Sequence, residues 1–253
     1  MRTLATAVCA GMVCALSAQA QQAPLELGAG LHYSTGDYGT GSETEITTLA
    51  LTGRVDSGSW VYRATVPYLE VTGDNAVIPG VGRTRGGAGR RRTESGLGDI
   101  VLSATYAAYY DRATTLGLDL TGKLKLPTAD ETRGLGTGEA DAIFLADAYR
   151  GFDRWTGFGG VGYHILGDAP GQPLDNVWSA NAGASYKIDP RDTWGVSFDT
   201  RQRVAPGAAP QREVMGYFQR RLDAFWKGQA YALIGIANGS PDWGIGLSLA
   251  RPM

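Results

Sequence analysis

Few residues in this sequence of 253 could do chemistry. It has two histidines, His32 and His164, and two cysteines, Cys9 and Cys14. No serine or acidic motif accompanies either histidine, and two histidines without a neighbouring cysteine argue against a tetrahedral metal site. The glycines match no phosphate-binding pattern between a strand and a helix. The sequence therefore predicts no enzyme and no cofactor, and it leaves calcium at acidic loops open.

The charged residues follow a pattern of their own, which is clearest in "LGLDLTGKLKL" at residues 116–126. Every even position except Gly122 is a leucine, whereas the odd positions include Asp119, Lys123 and Lys125. A period of two predicts a strand with two unlike faces. A soluble sandwich or barrel would bury the leucines, and an outer-membrane barrel would turn them to lipid and the charges to a watery lumen. Both interpretations fit these residues.

The N-terminus predicts export. Residues 1–20 have one positive charge at Arg2, then an apolar run, then "SAQA", as expected of a cleaved secretory signal peptide. The mature domain would be residues 21–253. Both cysteines leave with the signal, so the mature chain would have no disulfide framework and no thiolate site.

Charge and hydropathy narrow the classes of partner. The mature chain has 22 basic and 25 acidic side chains, a balance that argues against a nucleic-acid partner. No mature segment approaches twenty consecutive apolar residues. If the protein sits in a membrane, we therefore expect a closed barrel.

Twelve strands are predicted from alternation and from the turn residues between them. They are expected near residues 24–34, 45–55, 60–72, 97–110, 115–126, 139–150, 155–166, 177–188, 193–203, 212–222, 226–237 and 242–251. Short connections such as "DSGS" and "DPRD" alternate with long ones such as "PTADETRGLGTG". This asymmetry is typical of outer-membrane barrels. The predicted fold is all-β: a transmembrane antiparallel up-and-down β-barrel of about 12 strands, with short periplasmic turns and long extracellular loops.

Aromatic residues near the short turns predict an interfacial girdle at the headgroup level. The set comprises Trp60, Tyr109, Tyr110, Tyr149, Phe152, Trp155, Tyr186, Trp194, Phe225 and Trp226.

The face opposite the apolar one supplies the candidate lumen-lining residues. They are Asp99, Asp119, Lys123, Lys125, Lys187, Asp199 and Arg201. A charged residue facing lipid at mid-bilayer would cost roughly 2–4 kcal/mol, so these side chains are expected inside. They either line a solute path or form ion pairs that brace a closed barrel.

The longest loop, "GRTRGGAGRRRTESG", is arginine-rich and predicted to be extracellular. Its arginines are Arg83, Arg85, Arg90, Arg91 and Arg92. Guanidinium groups bind phosphate and carboxylate through paired hydrogen bonds. The alternatives are contact with an anionic lipid surface, an anion gate if the loop folds inward, and a plain solvated loop.

Three segments also carry a family resemblance. "ESGLGDIVLSATY" (94–106), "GKLKLPTAD" (122–130) and "LGTGEADAIFLADAYR" (135–150) resemble the outer-membrane β-barrel family named for the meta-cleavage pathway of phenol degradation. Members of that family are described simply as transporters. The resemblance implies an outer-membrane location, passage of small solutes, aromatic or amphipathic ones included, and membrane lipid and the barrel-assembly machinery as partners. A closed structural or surface-binding barrel and an outer-membrane hydrolase are the alternatives.

Overall fold

A computed structural model describes residues 25–73, 77–83, 91–168 and 173–253 of the chain. The predicted signal peptide, residues 1–20, lies outside these ranges. The strands are β1 Glu26–Gly36, β2 Thr44–Ser57, β3 Trp60–Gly73, β4 Val77–Ile78, β5 Gly82–Arg83, β6 Arg92–Leu97, β7 Ile100–Asp111, β8 Leu116–Leu126, β9 Asp141–Phe152, β10 Trp155–Ile165, β11 Val177–Lys187, β12 Asp192–Arg201, β13 Gln211–Arg221, β14 Lys227–Gly235 and β15 Trp243–Pro252. One turn of 3-10 helix covers Glu131–Arg133. The described residues include no helix that is long and apolar enough to cross a membrane.

The sheet closes into a barrel of twelve antiparallel strands. Each of the long strands pairs with its sequence neighbours, and β1 pairs with both β2 and β15, which closes the ring. The strands β6 and β7 together make one of the twelve, because both pair with β3 and only Gly98 and Asp99 separate them. The prediction of an all-β barrel with about 12 strands is confirmed. The predicted fourth strand began too late, since its pairing with β3 starts at Arg92.

The two ends of the barrel differ as predicted. The connections β2–β3, β7–β8, β9–β10, β11–β12 and β13–β14 are short, and the connections at the other end are long. Aspartates hold several short turns: Asp223 accepts hydrogen bonds from the backbone N–H groups of Phe225 and Trp226, both at 2.7 Å. Such side-chain acceptors are why aspartate is favoured in turns.

The outer wall is apolar. In β8, Leu116, Leu118, Leu120 and Leu124 are 36–46% exposed, whereas Asp119 between them is 5% exposed. In a soluble barrel, the leucines would be buried and Asp119 would be exposed. Large apolar side chains cover the same outer face on the other strands as well, which is the distribution of a barrel in lipid.

Aromatic side chains surround the short-turn end on the outside. Trp155 contacts Tyr186 and Trp194 with ring centroids 4.9 and 5.9 Å apart, and Trp60 contacts Tyr106 at 4.9 Å. Tyr149 was predicted in this girdle and does not belong to it. It is 4% exposed and points inward, because it shares a face of β9 with Asp141 and Asp147.

Candidate functional site

The space enclosed by the twelve strands, here called the bore, has an acidic row along one wall. Strand pairing sets Asp119 opposite Asp147, and Asp199 opposite both Asn181 and Glu213. Gly160 lies between Asp147 and Asn181, and a Cβ there would come within 2.1 Å of the Asp147 carboxylate. Because Gly160 has no side chain, the Asn181 amide donates across it to Asp147 Oδ1 at 3.2 Å.

A buried ion-pair cluster lies at the long-loop end of the bore. Lys125 Nζ is 2.8 Å from Asp141 Oδ2 and 3.3 Å from Asp99 Oδ2, and it also donates to Thr137 Oγ1 at 2.9 Å. The backbone N–H groups of Ala129 and Gly167 donate to the same two carboxylates. The cluster therefore ties two long loops to the barrel wall, as the bracing alternative predicts for these charges.

The structure distributes the seven predicted lumen residues unequally. Asp99 and Lys125 share the cluster just described, and Asp119 and Asp199 belong to the acidic row. The remaining three are Lys123 and Arg201, which point into the bore from β8 and β12, and Lys187, which is exposed at the short-turn rim. Whether any of them contacts a passing solute stays a prediction.

Sequence reasoning missed several inward acids. Asp141, Asp147 and Glu213 point into the bore, but they lie on the two strands whose alternation is mixed. In β9 the inward face also carries Ile143 and Leu145, so hydropathy alone does not reveal which side is inside. Strand register was the missing information.

A small hairpin crosses the mouth of the bore. Strands β4 and β5 pair Val77 with Arg83 around a turn in which the Val81 N–H donates to Ile78 O at 3.1 Å. Pro79 is the second residue of this turn and Gly80, with φ of 77°, the third, which is the type II pattern. The dipeptide "PG" between apolar residues was the sequence signal for it.

The hairpin bridges two opposite parts of the wall. Val77 packs in a buried cluster with Ile46, Leu69 and Val71 of β2 and β3. Ile78 and Val81 belong to a second cluster with Val177 of β11. The second cluster is completed by loop residues Leu166, Leu174, Val204 and Ala205. Because the two clusters hold the hairpin between opposite parts of the wall, the hairpin narrows the mouth of the bore.

The predicted basic loop is only partly described. Arg83 ends the hairpin, and its guanidinium donates to the Gly39 carbonyl. Arg91 pairs with Glu45 at 2.7 Å, and Arg92 is the first residue of β6. Arg85 and Arg90 lie outside the described residues. Binding of anions or lipid by these arginines stays a prediction.

Three hydrogen-bonding side chains meet directly beneath the hairpin. His164 Nε2 is 2.9 Å from Ser179 Oγ, and Ser179 pairs in register with Arg201. Arg201 and Lys123 are near enough for their charges to act on His164. The contact between His164 and Ser179 joins residues 15 positions apart, so no local motif could reveal it.

Inward aromatic rings lie flat against the wall. Tyr149, Phe158, Tyr217 and Tyr231 each stand opposite a glycine of the next strand, in the pairs Tyr149–Gly117, Phe158–Gly183, Tyr217–Gly195 and Tyr231–Gly246. A Cβ on any of these glycines would come within 2.4 Å of the ring. The glycines therefore provide the space into which the rings fold, and the bore gains aromatic surface.

Metal chemistry finds no support in this geometry. Across the parts of the chain that the structure describes, no three His, Cys, Asp or Glu side chains are grouped to hold an ion.

Comparison with known proteins decides the family. Residues 28–213 match the family model described as "Putative MetA-pathway of phenol degradation". The chain belongs to this family. No curated protein matches the chain in sequence. Membership confirms the resemblance carried by residues 94–150.

Solved structures share the fold of this family member. An outer membrane channel from Pseudomonas putida F1 has a TM-score of 0.71 at 15% identity, covering 93% of this chain and 97% of that one. The CymD monoaromatic hydrocarbon channel has a TM-score of 0.51 at 10% identity, covering 92% and 90%. The NanC porin has a TM-score of 0.55 at 9% identity, covering 90% of this chain and 100% of that one. At these identities the likeness establishes the barrel fold.

Proposed function

We propose that this family member is an outer-membrane channel that passes small amphipathic solutes, aromatic ones among them. The observation that carries the proposal is the division of the wall into a lipid-compatible outside and a bore lined by charges and aromatic rings. Two similar folds belong to an outer membrane channel and to a monoaromatic hydrocarbon channel, which supports the same assignment. The surrounding membrane lipid and the barrel-assembly machinery follow as partners.

Conductance tests the proposal directly. The mature protein, reconstituted into a planar bilayer in potassium chloride, should give discrete current steps. A bilayer that stays silent over many insertions, verified by recovery of folded protein from the membrane, would favour the alternative of a closed structural barrel.

Ion selectivity tests the inward charges. Because Lys123 and Lys125 point into the bore, replacing both by glutamate should shift the reversal potential in a salt gradient towards cation preference. Lys123→Arg is the matched control, because it keeps the charge. An unchanged reversal potential in the double variant would mean that these side chains do not line the conduit.

A hydrolase is the second candidate, and the bond between His164 and Ser179 is the observation that favours it. A serine nucleophile also needs a group that orients the histidine. Among the described residues, the His164 ring is hydrogen-bonded to Ser179, and no carboxylate is hydrogen-bonded to the ring. We infer that the pair is not catalytic. Phospholipid or peptide hydrolysis that disappears in His164→Ala would refute this.

We also infer that residues 1–20 are removed on export and that the barrel domain is residues 21–253. Mass spectrometry of the protein isolated from outer membranes should give a chain that begins at Gln21. A chain that begins at Met1 would contradict the inference.

A further inference from the structure

Besides its apolar contacts, the hairpin receives hydrogen bonds from the guanidinium of Arg201. Arg201 Nη1 donates to Gly80 O at 2.9 Å, and Arg201 Nη2 donates to Val81 O at 2.6 Å. Both acceptors are neutral carbonyls of the hairpin turn. A carboxylate binds guanidinium more strongly than a neutral carbonyl does, because both partners are charged and two parallel bonds form.

The surroundings of Arg201 suit a carboxylate. Ser179 is its register partner, and His164 is hydrogen-bonded to Ser179, so three polar side chains converge at this point. Lys123 adds a positive charge nearby. Hydroxyl and imidazole groups can each donate to a second anionic oxygen.

An apolar surface lies next to these polar groups. Ile78, Val81 and Val177 are 4%, 5% and 1% exposed and pack into one cluster over the site, so this surface is uncovered only when the hairpin moves. A cavity of about 510 Å³ adjoins the cluster at Val177, with Asp175, Asn176, Gln202, Arg203 and Pro210 also in its lining. A solute with a charged head and an apolar body would meet both surfaces once the hairpin has moved.

We propose that Arg201, Ser179 and His164 form a binding site for the carboxylate group of a small amphipathic monocarboxylate. The carboxylate takes the guanidinium of Arg201 from Gly80 and Val81, so that apolar packing is left to hold the hairpin at the β12 side of the mouth and the hairpin moves away more readily. The inference rests on the proposed channel function and deepens it, since it names the solute class and the contact that admits the solute.

The acidic row limits how tightly the site can hold such a solute. Asp199 is the next inward residue of β12 after Arg201, and Glu213 is its register partner. Their negative charges oppose the attraction of Arg201 for an anion, so they weaken its binding at the site. Conduction requires binding that is strong enough for entry and weak enough for departure.

Benzoate and benzyl alcohol test the proposal, because they share a ring and differ in charge. In calorimetric titration of the mature protein in detergent, benzoate should bind and benzyl alcohol should bind at least tenfold more weakly. In planar bilayers, benzoate added on the long-loop side should raise the open probability. Arg201→Gln should lower benzoate affinity roughly tenfold or more, as expected for a lost charged hydrogen bond.

Arg212→Gln is the matched control. It removes an exposed arginine of the neighbouring strand that faces away from the bore, so benzoate affinity should not change. If Arg201→Gln fails to fold, Ser179→Ala provides the second variant and should weaken benzoate binding. Equal affinity for the two solutes, or unchanged benzoate binding in Arg201→Gln, would overturn the proposal. A wild type that binds benzoate but never conducts would instead refute the proposed channel function.

Discussion

At the scale of single residues, the charges in the bore differ in how they are held. Lys125 lies between two carboxylates, and all three side chains are at most 13% exposed. Lys187 has the same inward phase but is exposed at the short-turn rim. Two lysines that the sequence places in one class therefore have different energetic roles.

Lys125→Met should lower the free energy of unfolding by about 3 kcal/mol, because it leaves two buried carboxylates without their shared cation. The expected loss is at the low end for buried pairs, since backbone N–H groups still serve Asp99 and Asp141. Urea unfolding of the barrel in detergent measures it. Lys187→Met is the control and should change the midpoint little. Equal midpoints for the two variants would contradict the bracing role.

The stability of the short turn that contains Asp223 should depend on pH. The backbone N–H groups of Trp226 and Phe225 donate to Asp223 and lower the pKa of its carboxyl, because they stabilise the ionised form. The resulting stability is present above the ordinary aspartate pKa and is lost as the pH falls through the lowered value. Asp223→Ala should therefore unfold at lower urea than wild type at pH 7, with the gap closing in acid.

Asp223→Asn is the control for that comparison, since it keeps an acceptor oxygen that does not titrate. It should retain most of the wild-type midpoint at pH 7. A gap between wild type and Asp223→Ala that stays constant down to strong acid would show that the turn does not depend on the ionised carboxylate.

The same residues show which features of the bore can be predicted from the sequence and which cannot. The period of two correctly assigned Asp119 and Lys125 to the face opposite the leucines, because side-chain direction alternates along any strand. It did not show that Lys125 contacts Asp141, or that His164 contacts Ser179. Those contacts depend on register between strands, which local alternation does not specify when both faces of a strand are mixed.

At the scale of elements, the inward rings and their glycines set the width of the bore. Gly195 stands opposite Tyr217, and a Cβ there would be 2.4 Å from the ring. Gly216, on the same strand as Tyr217, faces outward, and a Cβ on it would meet no heavy atom within 4 Å. The two glycines therefore offer a matched pair of positions.

Gly195→Ala should push the Tyr217 ring towards the centre of the bore, and so reduce single-channel conductance and lower the unfolding midpoint. The expected cost is roughly 1–3 kcal/mol, the usual range for overpacking. Gly216→Ala should leave both quantities near wild type. Equal conductance in the two variants would mean that the ring does not border the path of ions.

The hairpin is the element that strand prediction missed. Its strands have two residues each, and its ends lie on apolar clusters to which β2, β3, β11 and four long loops contribute. "IPGV" indicates a turn. Whether that turn is exposed to solvent or folds into the mouth of the bore depends on packing against residues more than 80 positions away, such as Leu166 and Val204.

At the scale of the whole molecule, one assignment supports the rest: apolar side chains face lipid and ionised ones face the bore. Adjacent positions at the centre of β8 can test it. Leu120 is 46% exposed on the outer wall, and Thr121 points inward, where its hydroxyl bonds to Thr105 at 2.8 Å. Neighbours in a strand have the same local propensity context, so they differ mainly in the medium that they meet.

Leu120→Arg should destabilise the barrel in phospholipid vesicles by roughly 2–4 kcal/mol, the cost of arginine facing lipid near the midplane. Thr121→Arg should cost less, because its guanidinium enters a bore that already holds Asp119 and Asp147. Equilibrium folding into vesicles, followed by tryptophan fluorescence, measures both variants. A soluble barrel would also lose more at position 120, which would then be a core site, but it would fold without vesicles or detergent. A larger loss at position 121 than at 120, or folding of the wild type without vesicles or detergent, would therefore overturn the orientation of the wall, and the channel function with it.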